Sequence, residues 1–596
     1  MSTDAWGISH TWLDDDELKR HPSDDTVRVL REVIGRPPED LENRAPLVVL
    51  VGDTVQLPPG ELVCEDGTVL STPAKELPLG YHELRPTEGL ARRVIVSPRR
   101  CHQPEGLREW GLAVQLYAAR SRDSWGVGDL ADLRAIRQWA QHRGAGFLLV
   151  NPLHGVAPTF PQEPSPYLPA TRRFRNPLYL RVPEVPGAEH LDPGDLADGA
   201  AINAGDTVDR DAAWALHRRV LRRVFDAGPP RAFPAWRAEQ GTALQHWATW
   251  CVLAEEHGDD FNDWPAQLQD PINITAVTAD EHEVAFHAWL QWALELQLTE
   301  ACAGMIVLQD LPVGVSGGGA DAWVYQGVMA SGVTVGAPPD AFNGLGQDWG
   351  SPPYVPWRLR LAGYEPFIQS VRATLAGGGG LRVDHVMGLF RLWWVPPGGA
   401  PTDGGYVRYP WRDLLAIIAL ESHRAQALVV GEDLGVVEDG VREAMAEFGL
   451  LSYRLLWFED DDPAQWPADA MAAVTTHDLP TVPGLVEGTD VAEQRALQLG
   501  ADAELEANRA AMLDKVGECS FVDDAVLTAY RRLAQAPSAL LCATLDDAVL
   551  ARRRPNVPGT TARDNWCIPL PVLVDDLPLH PPARALAMVL DSVVHP

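Results

Sequence analysis

Eight short apolar runs, each ending abruptly in polar residues and followed by helix-like sequence, constrain this chain more than any other feature. They lie at residues 112–117, 147–151, 305–310, 381–384, 427–432, 453–458, 471–478 and 539–544. Strands covered on both faces read as continuous apolar segments, and eight of them alternating with helices is the pattern of a (β/α)8 barrel. Such a barrel carries its functional groups at the C-terminal strand ends, where the polar residues stand here. The expected fold is therefore α/β, a (β/α)8 (TIM) barrel with inserted helical subdomains, over residues 105–596. The long interval between the second and third runs is largely amphipathic helix, at 213–225 and 286–303, and predicts a helical insertion at about 186–303.

Residues 1–104 are patterned differently. Residues 14–34 have helical spacing, ended by Pro37-Pro38. Short β-rich runs follow at 47–51, 54–57, 61–64, 81–84 and 93–96, separated by turn signals such as Pro58-Pro59-Gly60 and Asp66-Gly67. They predict a helix and a small antiparallel, β-sandwich-like domain, with no cluster of catalytic residue types.

Charge and composition narrow the function classes. With 82 acids against 49 bases the net charge is −33, which disfavours nucleic acid and anionic membranes as partners. No stretch approaches ~18 consecutive apolar residues, and the first twenty residues lack a basic leader with an apolar core. Seven cysteines without paired spacing read as free thiols, so the expected location is cytoplasmic. Trp, at 21, outnumbers Tyr (11) and Phe (13). Indole covers the C–H face of a sugar and still donates a hydrogen bond, although a large core would use the same residues.

Three strand ends carry acids in a form that points to chemistry. In Leu381-Arg382-Val383-Asp384-His385, period-two alternation puts Arg382 and Asp384 on one face, and the cation favours the ionised carboxylate that a nucleophile needs. In Val430-Gly431-Glu432-Asp433-Leu434-Gly435 an acid follows a strand directly, with glycines leaving room for a ligand. Thr475-Thr476-His477-Asp478-Leu479-Pro480 places a His-Asp pair at a third end, and Asp310 stands at a fourth. Any one such acid could cap the helix after it. Several on one rim fit glycosyl transfer, in which one carboxylate attacks the anomeric carbon and another protonates the leaving oxygen.

These segments resemble the 4-α-glucanotransferases of the amylomaltase (disproportionating enzyme) type, in the α-amylase clan. The ordered set runs from Ser124-Trp125-Gly126-Val127-Gly128-Asp129-Leu130 through Asn151-Pro152-Leu153-His154, Ser165-Pro166-Tyr167 and Arg175-Asn176-Pro177. It continues through Asp310-Leu311-Pro312, the stretch 336–350 and the three carboxylate motifs to Asn556-Val557-Pro558-Gly559 and Asn565-Trp566. The resemblance implies a retaining transferase that passes α-1,4-glucan segments between maltooligosaccharides, in maltodextrin or glycogen metabolism, with no metal or organic cofactor. It assigns Asp384 as nucleophile, Glu432 as acid/base and Asp478 as transition-state stabiliser. Arg382 and His477 would hold the nucleophile and donor sugar, Tyr167 would stack under the reacting sugar, and Ser165 and Asp310 would hydrogen-bond nearby. Phe342, Gln347 and Trp349 would belong to a covering loop, at about 335–357, that disfavours water as acceptor. Departures at Ala341, Ser351 and Met387-Gly388-Leu389 bear on acceptor contacts and chain-length preference.

Rival readings leave distinct marks. An α-glucan hydrolase of the same clan differs only in its acceptor, and an inactive carbohydrate-binding barrel would not need all three acids. Gly314-Val315-Ser316-Gly317-Gly318 fits a nucleophile elbow, but the preceding apolar run ends before it. A metal hydrolase would draw on His385 and His477, without a His-x-His or His-Glu-x-x-His motif to support them.

Overall fold

The structure is a computed structural model that describes residues 3–14, 18–74, 76–273, 279–339, 346–517, 519 and 521–595. The eight apolar runs become β1 (Glu109–Val114), β2 (Phe147–Val150), β3 (Ile306–Leu311), β4 (Gly379–Val383), β5 (Leu428–Gly431), β6 (Ser452–Leu455), β7 (Ala470–Ala473) and β8 (Leu540–Thr544). They form one parallel sheet in the order β5-β4-β3-β2-β1-β8-β7-β6. The parallel bridge Val430–Leu451 joins its two ends, and Gly431 N–H donates to the Leu451 carbonyl at 2.8 Å. The result is a (β/α)8 barrel. β1 sits earlier than the sequence predicts, because Leu116–Ala118 turns into a 3-10 helix.

Period-two alternation sorts the wall. Phe147, Leu149, Leu308, Val430, Tyr453, Met471 and Leu540 cluster in the barrel interior, while Leu148, Val150, Val307 and Leu541 join the core under the helices. The fit is close: a Cβ on Gly111 of β1 would lie 2.2 Å from the Phe147 carbonyl oxygen.

Between β2 and β3 lie the helices Pro193–Asn203, Arg210–Asp226, Phe233–His257 and Glu281–Cys302. Asp209 caps the second by accepting from Ala212 N–H. Their core accounts for much of the Trp surplus. Trp214, Trp250 and Trp289 are fully buried, and Trp247 stacks on Trp250 with ring centroids 5.8 Å apart. Most of these indoles are packing, not sugar platforms.

A further insertion is not evident from the sequence. Gln347–Ser351, Thr334–Ala337, Arg391–Val395 and Gly405–Arg408 form, in that order, a four-stranded antiparallel sheet. The covering loop expected at 335–357 is thus the edge hairpin of a sheet, and its residues 340–345, including Phe342, lie outside the described residues.

The N-terminal region departs from expectation in three ways. Its helix is Asp24–Ile34, not 14–34, because Ser23 stops it by accepting from Thr26 N–H; upstream, Trp12–Leu13 pairs with Lys19–Arg20. Val69–Thr72 is a strand and 54–57 is not. The strands make one five-stranded sheet rather than a sandwich, and Leu47–Leu50 runs parallel to Arg92–Ser97, so it is mixed. The sheet is fastened to the barrel by Tyr81 Oη, which donates to Glu421 Oε1 at 2.6 Å. Among the described residues no helix is long and apolar enough to cross a membrane.

Candidate active site

The polar residues that end β4, β5 and β7 converge on one cleft of about 460 Å³. Asp384, Glu432, Asp478, His477 and Gln347 line it. A small recess adjoining it is lined by Tyr167, Asp310, Arg382 and His477.

Arg382, pointing inward from β4, is the hub. Its Nη1 donates to both Asp310 oxygens, at 2.7 and 2.6 Å, and to Asp384 Oδ1 at 3.0 Å. The shared strand face inferred from alternation is therefore present. Its electrostatic consequence is weaker than the sequence implies. Burial raises the Asp384 carboxyl to about 6, with Arg382 pulling down and Asp310 pushing up. The guanidinium lies closer to Asp310, so desolvation outweighs it at Asp384. Asp384 is still mainly ionised at neutral pH.

Glu432 follows β5. Burial drives its carboxyl up to about 8, against the pull of Arg382 and with the push of Asp384. Its Oε2 accepts from His385 N–H at 2.7 Å. His385 can aim that N–H because its backbone is left-handed, with φ 46°, a conformation that costs a non-glycine residue energy and is held here by its surroundings. The two acids thus differ in proton affinity in the order that a nucleophile and an acid/base require.

Asp478 has another environment. Burial opposes its ionisation, but His477, Asn556 and Arg554 together outweigh burial and lower its pKa; His477 Nε2 lies 3.4 Å from Asp478 Oδ2. Asn556 Nδ2 donates to Asp478 Oδ1 at 2.7 Å, and Arg554 Nη1 donates to its backbone carbonyl, also at 2.7 Å. Asp478 is held as an anion.

Tyr167 reaches in from the loop after β2. Its hydroxyl donates to Asp310 Oδ2 at 2.7 Å, and its ring stacks on His477 with centroids 4.9 Å apart. Ser165 is not among the lining side chains; its Oγ accepts from Tyr167 N–H at 3.2 Å and so braces the turn that carries the ring. Trp349 lies on the edge strand of the inserted sheet, where its Nε1 donates to Gln347 Oε1 at 3.2 Å. Its ring meets His385 edge-on at 5.2 Å.

The sequence-derived assignments omit several neighbours. Asn556 and Arg554 hold Asp478, and Trp566 packs beside Tyr167 and His477 with centroids 5.3 and 5.4 Å away. Asn556 and Trp566 both lie in the motifs that carry the resemblance, which was the available signal. Among the described residues no group of three or more His, Cys, Asp or Glu is arranged to hold a metal ion. Ser316 lies beyond the end of β3, in a loop where its N–H donates to the Pro169 carbonyl.

Known proteins resemble this chain in sequence and in fold. The profile of the 4-alpha-glucanotransferase family matches residues 114–574. The 4-alpha-glucanotransferase of Mycobacterium tuberculosis is 44% identical over 566 residues, covering 84% of this chain and 78% of its own. That of Haemophilus influenzae is 35% identical over 470 residues, covering 71% and 67%. The crystal structure of amylomaltase from Corynebacterium glutamicum superposes with a TM-score of 0.88 at 31% identity, over 98% of each chain.

Proposed function

The chain belongs to the 4-alpha-glucanotransferase family, and from that premise we propose a retaining transfer of α-1,4-glucan segments between maltooligosaccharides through a covalent glycosyl-enzyme on Asp384. In the first step an Asp384 oxygen attacks the anomeric carbon and the glycosidic C–O bond breaks. Glu432 gives its proton to the leaving 4-oxygen. In the second step an incoming 4-hydroxyl attacks the same carbon, Glu432 takes the hydroxyl proton, and Asp384 leaves as a carboxylate. Asp478 and His477 bind the reacting sugar as its charge develops, with Arg382 and Asp310 fixing the nucleophile and Tyr167 stacking under the ring.

The observation that carries this reading is the presence in one cleft of three carboxylates in unlike surroundings, with Glu432 holding its proton more tightly than Asp384. Incubation with maltotriose, followed by chromatography and anomeric NMR, tests it. Glucose and a ladder of longer oligomers, all newly joined in the α configuration, are expected. Shorter sugars alone would make hydrolysis the main activity, and β-linked products would overturn retention.

The strand Gln347–Ser351 is proposed to cover the acceptor side. Gln347 lines the cleft, and Trp349 fixes the Gln347 amide by hydrogen bond. Trp349→Ala removes that bond and an edge-to-face ring contact of ~1 kcal/mol. Transfer is expected to fall several-fold more than hydrolysis. Equal loss of both would show that the strand does not select the acceptor.

A further inference from the structure

Residues 3–14 and 18–34 lie on the far side of the inserted sheet from the cleft strand, and their contacts are specific. Ile8 makes an antiparallel bridge to Val407. Ser9 N–H donates to the Tyr406 carbonyl at 2.8 Å, and Arg408 N–H donates back to the Gly7 carbonyl at 2.9 Å. The segment thereby extends the Gly405–Arg408 edge, opposite the Gln347–Ser351 edge. Trp12 then drives its ring against Trp393, with centroids 4.8 Å apart, and Tyr406, at 6.2 Å. The helix Asp24–Ile34 closes over the sheet: Thr26 Oγ1 donates to the Asp403 carbonyl at 2.7 Å, and Trp357 Nε1 donates to the Ile34 carbonyl at 2.9 Å.

Trp12, Trp393 and Val395 form a small apolar cluster of their own on the sheet, while the contacts of Ile8 and of the helix continue to the reaction centre. One apolar cluster joins Ile8, Leu30 and Ile34 to Val335 and Trp394 of the sheet and to Val383 beside Asp384, with Trp349 packed against it. A polar link runs in parallel. Arg408 and Arg391 of the sheet both pair with Glu438, on the segment that follows Glu432 from β5. The inserted sheet is therefore fastened to the two catalytic strands on one side and to the N-terminal segment on the other.

We propose that residues 3–14 and 18–34 form a strap that sets the position of the inserted sheet, and that Trp12 is a positioning residue for acceptor selection. Packed interiors transmit displacement because they leave no free volume to absorb it. Loosening the outer edge of a four-stranded sheet shifts its inner edge, where Gln347 faces the acceptor. Donor loading depends on Arg382, Asp384 and Glu432, which the strap reaches at second hand, through the sheet and the apolar cluster. The inference rests on reading Gln347–Ser351 as the acceptor-side cover.

The test compares the full-length protein with Trp12→Ala, Trp12→Phe, Trp349→Ala and the double variant Trp12→Ala/Trp349→Ala. Trp12→Ala is expected to raise the hydrolysis-to-transfer ratio on maltotriose by about three- to tenfold, the scale of a lost aromatic pair. The acceptor KM should rise, and the rate of enzyme loading by α-glucosyl fluoride should stay within about twofold. Trp12→Phe keeps an aromatic ring and should restore the ratio. The double variant should shift the ratio little beyond Trp349→Ala, because both changes act through one strand. A lower melting temperature with an unchanged ratio would reduce Trp12 to a structural role and overturn the proposal, as would equal losses in loading and transfer. Should Trp12→Ala fail to fold, Thr26→Val removes the bond to Asp403 and the one between the Thr26 and Ser23 hydroxyls and should move the ratio in the same direction; no movement there also overturns it. If Trp349→Ala shifts the ratio and Trp12→Ala does not, the strap fails while the cover stands. If Trp349→Ala itself changes nothing, the cover reading has failed first.

Discussion

Asp384→Asn should abolish glucan transfer, lowering the rate by about 10⁴-fold or more, while leaving the fold at least as stable. The size follows from the role: without an anionic oxygen no covalent glycosyl-enzyme forms, and deleting a covalent nucleophile costs on this scale. The stability follows from the surroundings. Burial holds Asp384 up to about 6, so a neutral amide at that position removes a desolvation penalty. Arg382 is not orphaned, because Asp310 still accepts from its Nη1 at 2.6 Å. The loss should therefore be chemical, with an unchanged or raised melting temperature. Chromatography of maltotriose products checks the rate, and intact-mass spectrometry with α-glucosyl fluoride checks for the adduct. Near-normal transfer by this variant would end the retaining assignment.

Much of this site was legible because strands buried on both faces announce themselves. Phe147–Val150 is buried throughout, and such a run has no other use for its apolar residues. Once eight runs are aligned, the acids after them must share a rim. Asp384 and Arg382 were legible for a narrower reason, the two-residue period of one strand. What escaped is what depends on contacts distant in sequence. Thr334–Ala337 and Gln347–Ser351 are half-exposed and carry glycines, so they show no clean alternation; their sheet exists because Arg391–Val395 supplies Trp393 and Trp394 to pair and pack with. The over-long N-terminal helix has a similar origin. Residues 14–20, acidic and then basic around Leu18, are charged like the exposed first turns of a helix, but Trp12–Leu13 pairs with Lys19–Arg20 and the helix waits for its cap at Ser23. The upward push of burial on Asp384 was not legible, because a neighbouring arginine is visible in sequence and burial is not. Nor does composition reveal that Asp310, from β3, stands closer to that arginine than Asp384 does.

Glu432→Gln should separate the two halves of the reaction. On maltotriose the rate should fall by about 10²- to 10⁴-fold, the usual worth of general acid–base assistance. The fold and pocket should survive, since the Gln carbonyl can still accept from His385 N–H, now bonded to Oε2 at 2.7 Å. α-Glucosyl fluoride changes the demand: fluoride departs without a proton, so Asp384 should load at close to the native rate. The second step then lacks a base to take the acceptor proton, and the glycosyl-enzyme should accumulate on the peptide that contains Asp384. The pH profile gives an independent reading. In the native enzyme Asp384 must be ionised and Glu432 protonated, so kcat/KM on maltotriose should fall as pH drops through about 6 and again as it rises through about 8. The two acids face each other across one cleft, so those limbs belong to the pair. With the carboxyl at 432 gone, loading by the fluoride should keep its acid limb and lose the alkaline one. An adduct found on Glu432 or Asp478 in the native enzyme would reverse the assignments. An alkaline limb persisting in Glu432→Gln would place the essential proton on another group.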